Sequence, residues 1–417
     1  MKAVKKKKVF SLVIIGLITL SLCTLYNIPL LPARDNKSLL NFDEKPPRTS
    51  KKSGIIHINN NWTEAKIAGI CNGSGSWSDP YVINDLIIDG RNSSNCIKIQ
   101  NSSVYFRIEN CTLLNAGSDW SSEYAGIKLI HTSNGMIVGN NCSRNMYGIS
   151  LTSYCSNNTV YNNYVNYNFY SGISLNTFCS NNTISRNSAN NNTTFGISIS
   201  WNSHNNTVSK NNATKNIIGL EVSSFSKFNN IIENNLSYND FPGWTSNGIR
   251  ISRAENNSLV RNIVSHNGWE GIHAYESKQT HLLNNTIRNN GNLGIRLIHC
   301  DDNILQRNNI SSNGQYGIYF EESKSNLIQY NTINNHSVGV YLDDLSSCNL
   351  ISNNFLYGNG VDIQDFQKPC KDNGYTVPPL DLIIISLTIV GLILLITGTV
   401  FVLRNLPKVK IKKSKIK

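Results

Sequence analysis

The chain has 417 residues, 40% of them hydrophobic and 15% charged, with a formal net charge of +12 from 38 Lys and Arg against 26 Asp and Glu. That much apolar sequence excludes a wholly disordered chain. The charge is also local: twelve Lys and Arg lie at the two tips, and the other 26 balance the 26 acids, which excludes a basic nucleic-acid-binding domain.

Residues 1–34 carry a basic tip, Lys5 to Lys8, followed by an apolar run over 9–31. The run is long enough to cross a bilayer. It reads as a signal peptide or a signal anchor, and no small-x-small cleavage site marks its end. Residues 35–80 form a lead-in segment and N-terminal cap.

From 81 to 366 the chain repeats. An asparagine recurs about every 23 residues from Asn140 through Asn163, Asn187 and Asn211 to Asn354. A second series follows five residues behind, from Asn145 to Asn359, with His336 in place of one asparagine. A glycine before an apolar residue follows in phase, from Gly148-Ile149 to Gly360-Val361. Repeats of this length are single turns of a solenoid. Within each repeat, apolar residues alternate with polar ones in short bursts separated by Asn, Ser and Gly, which is the period of strands and turns. The expected fold is all-β: a right-handed single-stranded parallel β-helix of about eleven coils, with transmembrane segments at both termini. The asparagines and glycines are expected to supply left-handed backbone at the corners, and the asparagine amides to bond along the stack. Insertions at Asp240 to Trp244 and around Asp119-Trp120 predict loops on one face.

Residues 367–381 are a juxtamembrane linker. Residues 382–403 form a second apolar run, read as a transmembrane helix. Residues 404–417 are a basic tail. Basic residues flank both runs on the side away from the repeats, so both tips are expected in the cytoplasm and the repeats outside the cell membrane. About eighteen Asn-x-Ser/Thr sequons agree with that topology, among them Asn61, Asn92, Asn157, Asn181, Asn205, Asn256, Asn284 and Asn335. Of the ten cysteines, Cys155 and Cys179 share one repeat position, which permits a disulfide between stacked coils or a ladder of buried thiols.

The Gly-Ile-x-Leu … Asn-x-x-x-x-Asn repeat, over roughly residues 80–365, resembles the parallel β-helix repeats of NosD-like proteins and of the domain shared by carbohydrate-binding proteins and sugar hydrolases. The segment from Gly73 to Ile83 looks like the lead-in of archaeal NosD-like surface proteins. The resemblance implies an extracellular, often carbohydrate-related role, and for NosD itself a link to copper-site maturation. The eight His and three Met form no tight ligand pair in sequence, and neither a metal nor another cofactor is expected. Of the motifs that mark pectin hydrolases and alginate epimerases of this fold, Asp301-Asp302 and Asp343-Asp344 are present. Asn-Thr-Asp, Gly-His-Gly, Arg-Ile-Lys and Asp-Pro-His-Asp are absent.

Position on the repeat is more selective. Two and four residues after each ladder glycine, side chains point outward. On the early coils these positions hold Ser and Thr. On the later coils they gather Glu221, Arg250, His273, Tyr275, Arg296, Tyr319, Glu321, Tyr341 and Asp343. Aromatics beside acids and Arg suit a sugar, offering flat faces and charge-assisted bonds to hydroxyls. The same residues also suit an ordinary solvated sheet. The chain is therefore expected to be a membrane-anchored extracellular glycan-binding or structural module. A polysaccharide lyase, epimerase or hydrolase and a ligand-free spacer are the alternatives.

Overall fold

The computed structural model describes residues 51–117, 123–368 and 370. Its short parallel strands form a right-handed β-solenoid of about twelve turns, about 60 Å long at about 4.8 Å per coil. The stack reaches upstream of residue 81: Lys51–Ser53 pairs with Leu86–Asp89, and Ile56–Asn59 with Ile97–Ser102. A long-strand sheet of thirteen runs from Ile56–Asn59 to Val361–Asp365, and a second sheet of twelve from Tyr81–Asn84 to Leu350–Ser352. The third face has three strands at the N-terminal end and five at the C-terminal end. Between them it narrows to single-residue bridges through Asn141, Tyr164, Ser188, Asn212 and Asn235.

The alternation in each burst sends every second residue inward. Ile149, Ile173, Ile197, Leu220, Ile249, Ile272, Ile295 and Ile318 stack in one buried file. No single coil could bury them; the neighbours above and below do.

The left-handed corners fall one residue away from where sequence reasoning puts them. Along the first ladder the positive-φ residues include Asn162, Arg186, Lys210, Glu233 and Arg261, each immediately before a ladder asparagine. Their types differ widely, so stacking holds this corner even where local propensity is poor. The ladder asparagine instead serves as a hydrogen-bond rung. The Oδ1 of Asn211 accepts from the backbone N and the Nδ2 of Asn187, at 2.9 and 3.0 Å. Its own Nδ2 donates to Ile184 O and to Asn234 Oδ1, at 2.9 and 3.0 Å. A third ladder of the same kind, not recognised in the sequence, runs through Asn158, Asn182, Asn206, Asn229 and Asn257, is interrupted at Thr280, and resumes through Asn303, Asn326 and Asn349. The glycine ladder has ordinary backbone angles, and what it provides is room. A Cβ at Gly172 would stand 2.7 Å from Gly196 O and 2.9 Å from Asn192 Nδ2.

The two ends differ. A helix at Trp62–Ile67 packs Trp62 and Ala65 against the first coils, with the Trp62 indole donating to Ser102 Oγ at 2.8 Å. At the other end Gln367 closes the third asparagine ladder. Its Oε1 accepts from Asn349 N at 2.9 Å, while its Nε2 turns back to Asn349 O and Asp365 Oδ2, both at 3.1 Å. A disulfide between Cys348 and Cys370 fastens this turn.

That bridge is not the one the shared repeat position suggests. Cys155 and Cys179 are free, buried thiols. Each sulfur is directed at the carbonyl three residues back, Thr152 O and Asn176 O, both at 3.2 Å. Burial pushes the Cys179 thiol well above its ordinary range. The apolar runs 9–31 and 382–403 and the insertion around Asp119-Trp120 lie outside the described residues. Among the described residues no helix is long and apolar enough to cross a membrane.

Candidate functional site

The long-strand sheet sets the outward residues in register. Ser150, Ser174, Ser198, Glu221, Arg250, His273, Arg296, Tyr319 and Tyr341 are successive Cα partners along one column. A second column passes through Ser252, Tyr275, Ile298 and Glu321. The sequence-expected residues other than Asp343 therefore share a face, and their side chains divide into separate groups.

The first group is ionic. Glu221 receives two hydrogen bonds from Arg250, the Nε bond at 2.8 Å, and the Arg250 guanidinium lies 5.6 Å from the Phe195 ring. Further along, Arg296 stands between two acids, bonding Glu270 at 3.3 Å and Glu321 at 2.9 Å. Partial burial works against the Arg296 charge, but Glu321 and Glu270 outweigh it and raise its pKa. The Glu270 side chain is only 2% exposed and also bonds His273 Nδ1 at 2.7 Å. This carboxylate fixes the imidazole and the guanidinium together.

The second group is aromatic. Tyr319 and Tyr341 stack with centroids 4.9 Å apart and planes 2° apart. Arg296 lies 5.7 Å from the Tyr319 ring on one side of the stack, and Phe366 meets Tyr341 edge-on at 5.9 Å. Tyr316 packs edge-on against both tyrosines. The two tyrosine rings therefore cover each other. Burial, then Glu321, raises the Tyr319 pKa, and burial, then Tyr316, raises that of Tyr341.

Two expected residues leave the patch. Tyr275 belongs to the strand end, with the Arg253 guanidinium 5.9 Å from its ring and His299 edge-on at 5.9 Å. A hydrogen bond to Glu276 raises its pKa. Asp343 follows the last residue of Val338–Leu342 and turns into a corner, accepting from Ser346 N at 2.8 Å and Ser346 Oγ at 2.6 Å.

Sequence reasoning missed Glu270 and Trp269. Glu270 precedes a ladder glycine, in the column that holds Phe195, Ile218, Leu293 and Tyr316 on other coils. An acid in a largely apolar column was the available signal. Trp269 lies at the edge of the face, where its N–H meets Ser246 O, the end of the 240–246 insertion. Asp240 of that insertion sits over Gly268, where a Cβ would stand 2.1 Å from its Oδ1. Trp244 and Trp269 are 65% and 41% exposed, and neither makes a ring contact among the described residues.

Against known proteins, two families match consecutive stretches: the right handed beta helix region over residues 68–237, and the periplasmic copper-binding protein (NosD) over residues 239–388. No curated protein matches the chain in sequence. Solved structures similar to it include the periplasmic alginate epimerase AlgG, at 14% identity and a TM-score of 0.45, covering 76% of this chain and 85% of that one. The A-module of the Azotobacter vinelandii mannuronan C-5 epimerase AlgE4 has 13% identity and a TM-score of 0.45, covering 79% and 98%. The bacteriophage CBA120 tailspike protein 3 has 10% identity and a TM-score of 0.48, covering 71% and 53%. At these identities the likeness is one of fold alone. Copper finds no donor set among the described residues. Among the described residues no three His, Cys, Asp or Glu converge on a point, and the free cysteines are all buried. The repeat, the coil and the two family matches together show a parallel β-helix that is similar to NosD over residues 239–388.

Proposed function

We propose that this chain is a membrane-anchored, outward-facing β-helix that recognises a glycan on its long-strand sheet, between Glu221 and Tyr341. The observation that carries the reading is the change along a single column, from Ser150, Ser174 and Ser198 to Glu221, Arg250, His273, Arg296, Tyr319 and Tyr341. Backbone pairing is the same on both stretches, so the fold does not require the change. Trp244 and Trp269 offer open indole faces for a sugar ring. The charged rungs offer bidentate and hydroxyl-directed bonds. The apolar runs 9–31 and 382–403 and the basic tips are the basis for the anchor and its orientation.

One observation supports a second reading, a uronate-acting enzyme. A buried Glu270 orienting His273, with Arg296 beside it, is an arrangement suited to moving a proton near a carboxylate. The full-length protein screened against neutral and uronate-containing glycans, with the sugars recovered and analysed, separates the readings. Binding that is lost in Trp269→Ala and Arg296→Ala, with the sugar recovered intact, is the expected result. Cleaved or epimerised sugar moves the protein to the enzyme reading. No binding to any glycan leaves a ligand-free spacer.

A further inference from the structure

The eighteen or so sequons are not equivalent in the fold. Some carry asparagines already committed to the structure: Asn192 is a buried ladder rung, and the Asn235 amide donates to Asn212 Oδ1 at 2.9 Å. Asn157, Asn181, Asn205 and Asn256 differ. Each occupies the left-handed position just before a rung of the third asparagine ladder. The first three are exposed and Asn256 is half-buried. Their side-chain amides make no hydrogen bond among the described residues.

Nothing in the coil demands asparagine there. On later coils the same position also holds Phe228, Gln279, Asp302, Ser325 and Cys348, all with positive φ. Nor does the coil demand a hydroxyl two residues later. That column is one register line, Thr159, Thr183, Thr207, Asn230, Ser258, His281, Ile304, Leu327 and Leu350. Yet from Asn157 on the two columns change together: where the corner is Asn, the second position is Thr or Ser, and where it is Phe, Gln, Asp, Ser or Cys, the hydroxyl is missing as well. One coil earlier Asn134, whose amide donates to Ser103 O at 2.8 Å, precedes Met136. The corner before the first ladder shows no such linkage. There Arg186 precedes Ser188 and Tyr330 precedes Thr332, while Asn162 precedes Tyr164 and Asn353 precedes Phe355. At this edge the pairing holds at every asparagine corner from Asn157 on, whereas over the same coils the first-ladder corner has it only at Asn284, ahead of Thr286.

The same edge carries exposed aromatics a few residues ahead of three of the sites. Tyr154 and Phe178 stand three residues before Asn157 and Asn181 and stack on each other at 5.0 Å. Trp201 stands four before Asn205, exposed and with no ring partner among the described residues. Aromatic surface beside an attachment point can cover the apolar face of a first sugar.

We propose that this edge is an N-glycosylation track, with Asn157, Asn181, Asn205 and Asn256 as its acceptors. In the transfer, Nδ2 of the asparagine bonds to the anomeric carbon of a lipid-phosphate-linked oligosaccharide. The bond from that carbon to the phosphate oxygen breaks, the lipid phosphate leaves, and the amide proton passes to a base of the transferase. Successive acceptors on adjacent coils are about 4.8 Å apart, so neighbours compete for space and occupancy is shared among them. The proposal rests on the outward placement of the repeats.

The test is glycopeptide mass spectrometry on the full chain purified from cells that carry out N-glycosylation, paired with protease digestion of intact cells. The expected result is glycan at two or more of the four sites and none at Asn192 or Asn235. Thr183→Ala and Asn181→Gln should each remove the Asn181 adduct and raise occupancy at Asn157 or Asn205. A chain cut by external protease but bare at all four sites overturns the track while leaving the outward placement standing. A bare chain protected from protease overturns both.

Discussion

The coils from Tyr147 to Ser223 and those from Asn247 to Leu342 share one backbone. The strands have the same register, the same three asparagine ladders pass through both, and the same inward file is filled by Ile, Leu and Val. Their outward faces have almost nothing in common. Apart from Glu221 on its last coil, the first stretch presents small hydroxyls on the sheet and aromatics with sequons at a corner. The second presents ion pairs and stacked tyrosines on the sheet. In a solenoid each coil answers to its neighbours through inward and corner positions, which leaves the outward column free to carry different chemistry on different stretches.

The largest expected effect tests the sameness. Asn211→Ala and Asn308→Ala each leave a buried backbone N–H on the preceding coil unpaired and take one hydrogen bond from the neighbouring amide Nδ2, at about 1–3 kcal/mol per group. Both should lose about 2–6 kcal/mol in urea denaturation, and by similar amounts. Unequal losses would mean the two stretches are different scaffolds.

The second expected effect concerns a ladder position where the second stretch departs from the first. His336 replaces an asparagine, with Asn313 Nδ2 and Asn359 Oδ1 each 3.2 Å from its ring nitrogens. One nitrogen must accept and the other donate, so only the neutral ring fits. Burial lowers its pKa from 6.5 to about 4. The unfolded chain therefore takes up the proton first, and stability falls as pH drops from about 6.5 towards 4, by up to about 3 kcal/mol at 1.36 kcal/mol per unit. Denaturation midpoints measured across that range should show the loss, and His336→Asn should flatten it.

A smaller effect separates the outward faces. Arg296→Ala leaves Glu270 buried with only His273 beside it. The cost should be roughly 2–3 kcal/mol, below the range of about 3–5 for a fully buried pair, because the Arg296 side chain is 29% exposed. Ser198→Ala, in the same column of the first stretch, should change stability by less than about 0.5 kcal/mol. Equal effects in thermal melts would remove the distinction between a structured face and a bland one.

Much of this was legible in the sequence because it repeats. The outward column was read correctly from Ser150 to Tyr341, since alternation counted from a glycine fixes the face of each residue. The third asparagine ladder was not, because Asn158, Asn182 and Asn206 sit inside Asn-Asn-Thr triplets that read as sequons and turns. The corners were misplaced by one residue because propensity points to asparagine, while stacking places Arg186, Lys210 and Glu233 there. Tyr275 and Asp343 were grouped with the patch by spacing alone. Their partners, Arg253 and Ser346, come from corner geometry that spacing does not encode. The Cys348–Cys370 bridge joins the last coil to the strand end beyond it, where no repeat remains to count from.

Gln367 ends one of the rod's three amide rows. Every ladder asparagine satisfies the coil before it and, in doing so, presents the same demand to the coil after it, so the pattern is a template that asks to be copied. Gln367 meets the demand of Asn349 and folds its own donors back on Asn349 and Asp365. Growth of that row stops there, and the Cys348–Cys370 bridge holds the stop in place. A chain without this terminator would offer the next free amide row to another molecule, and the same ladder that builds one finite rod would seed a fibre.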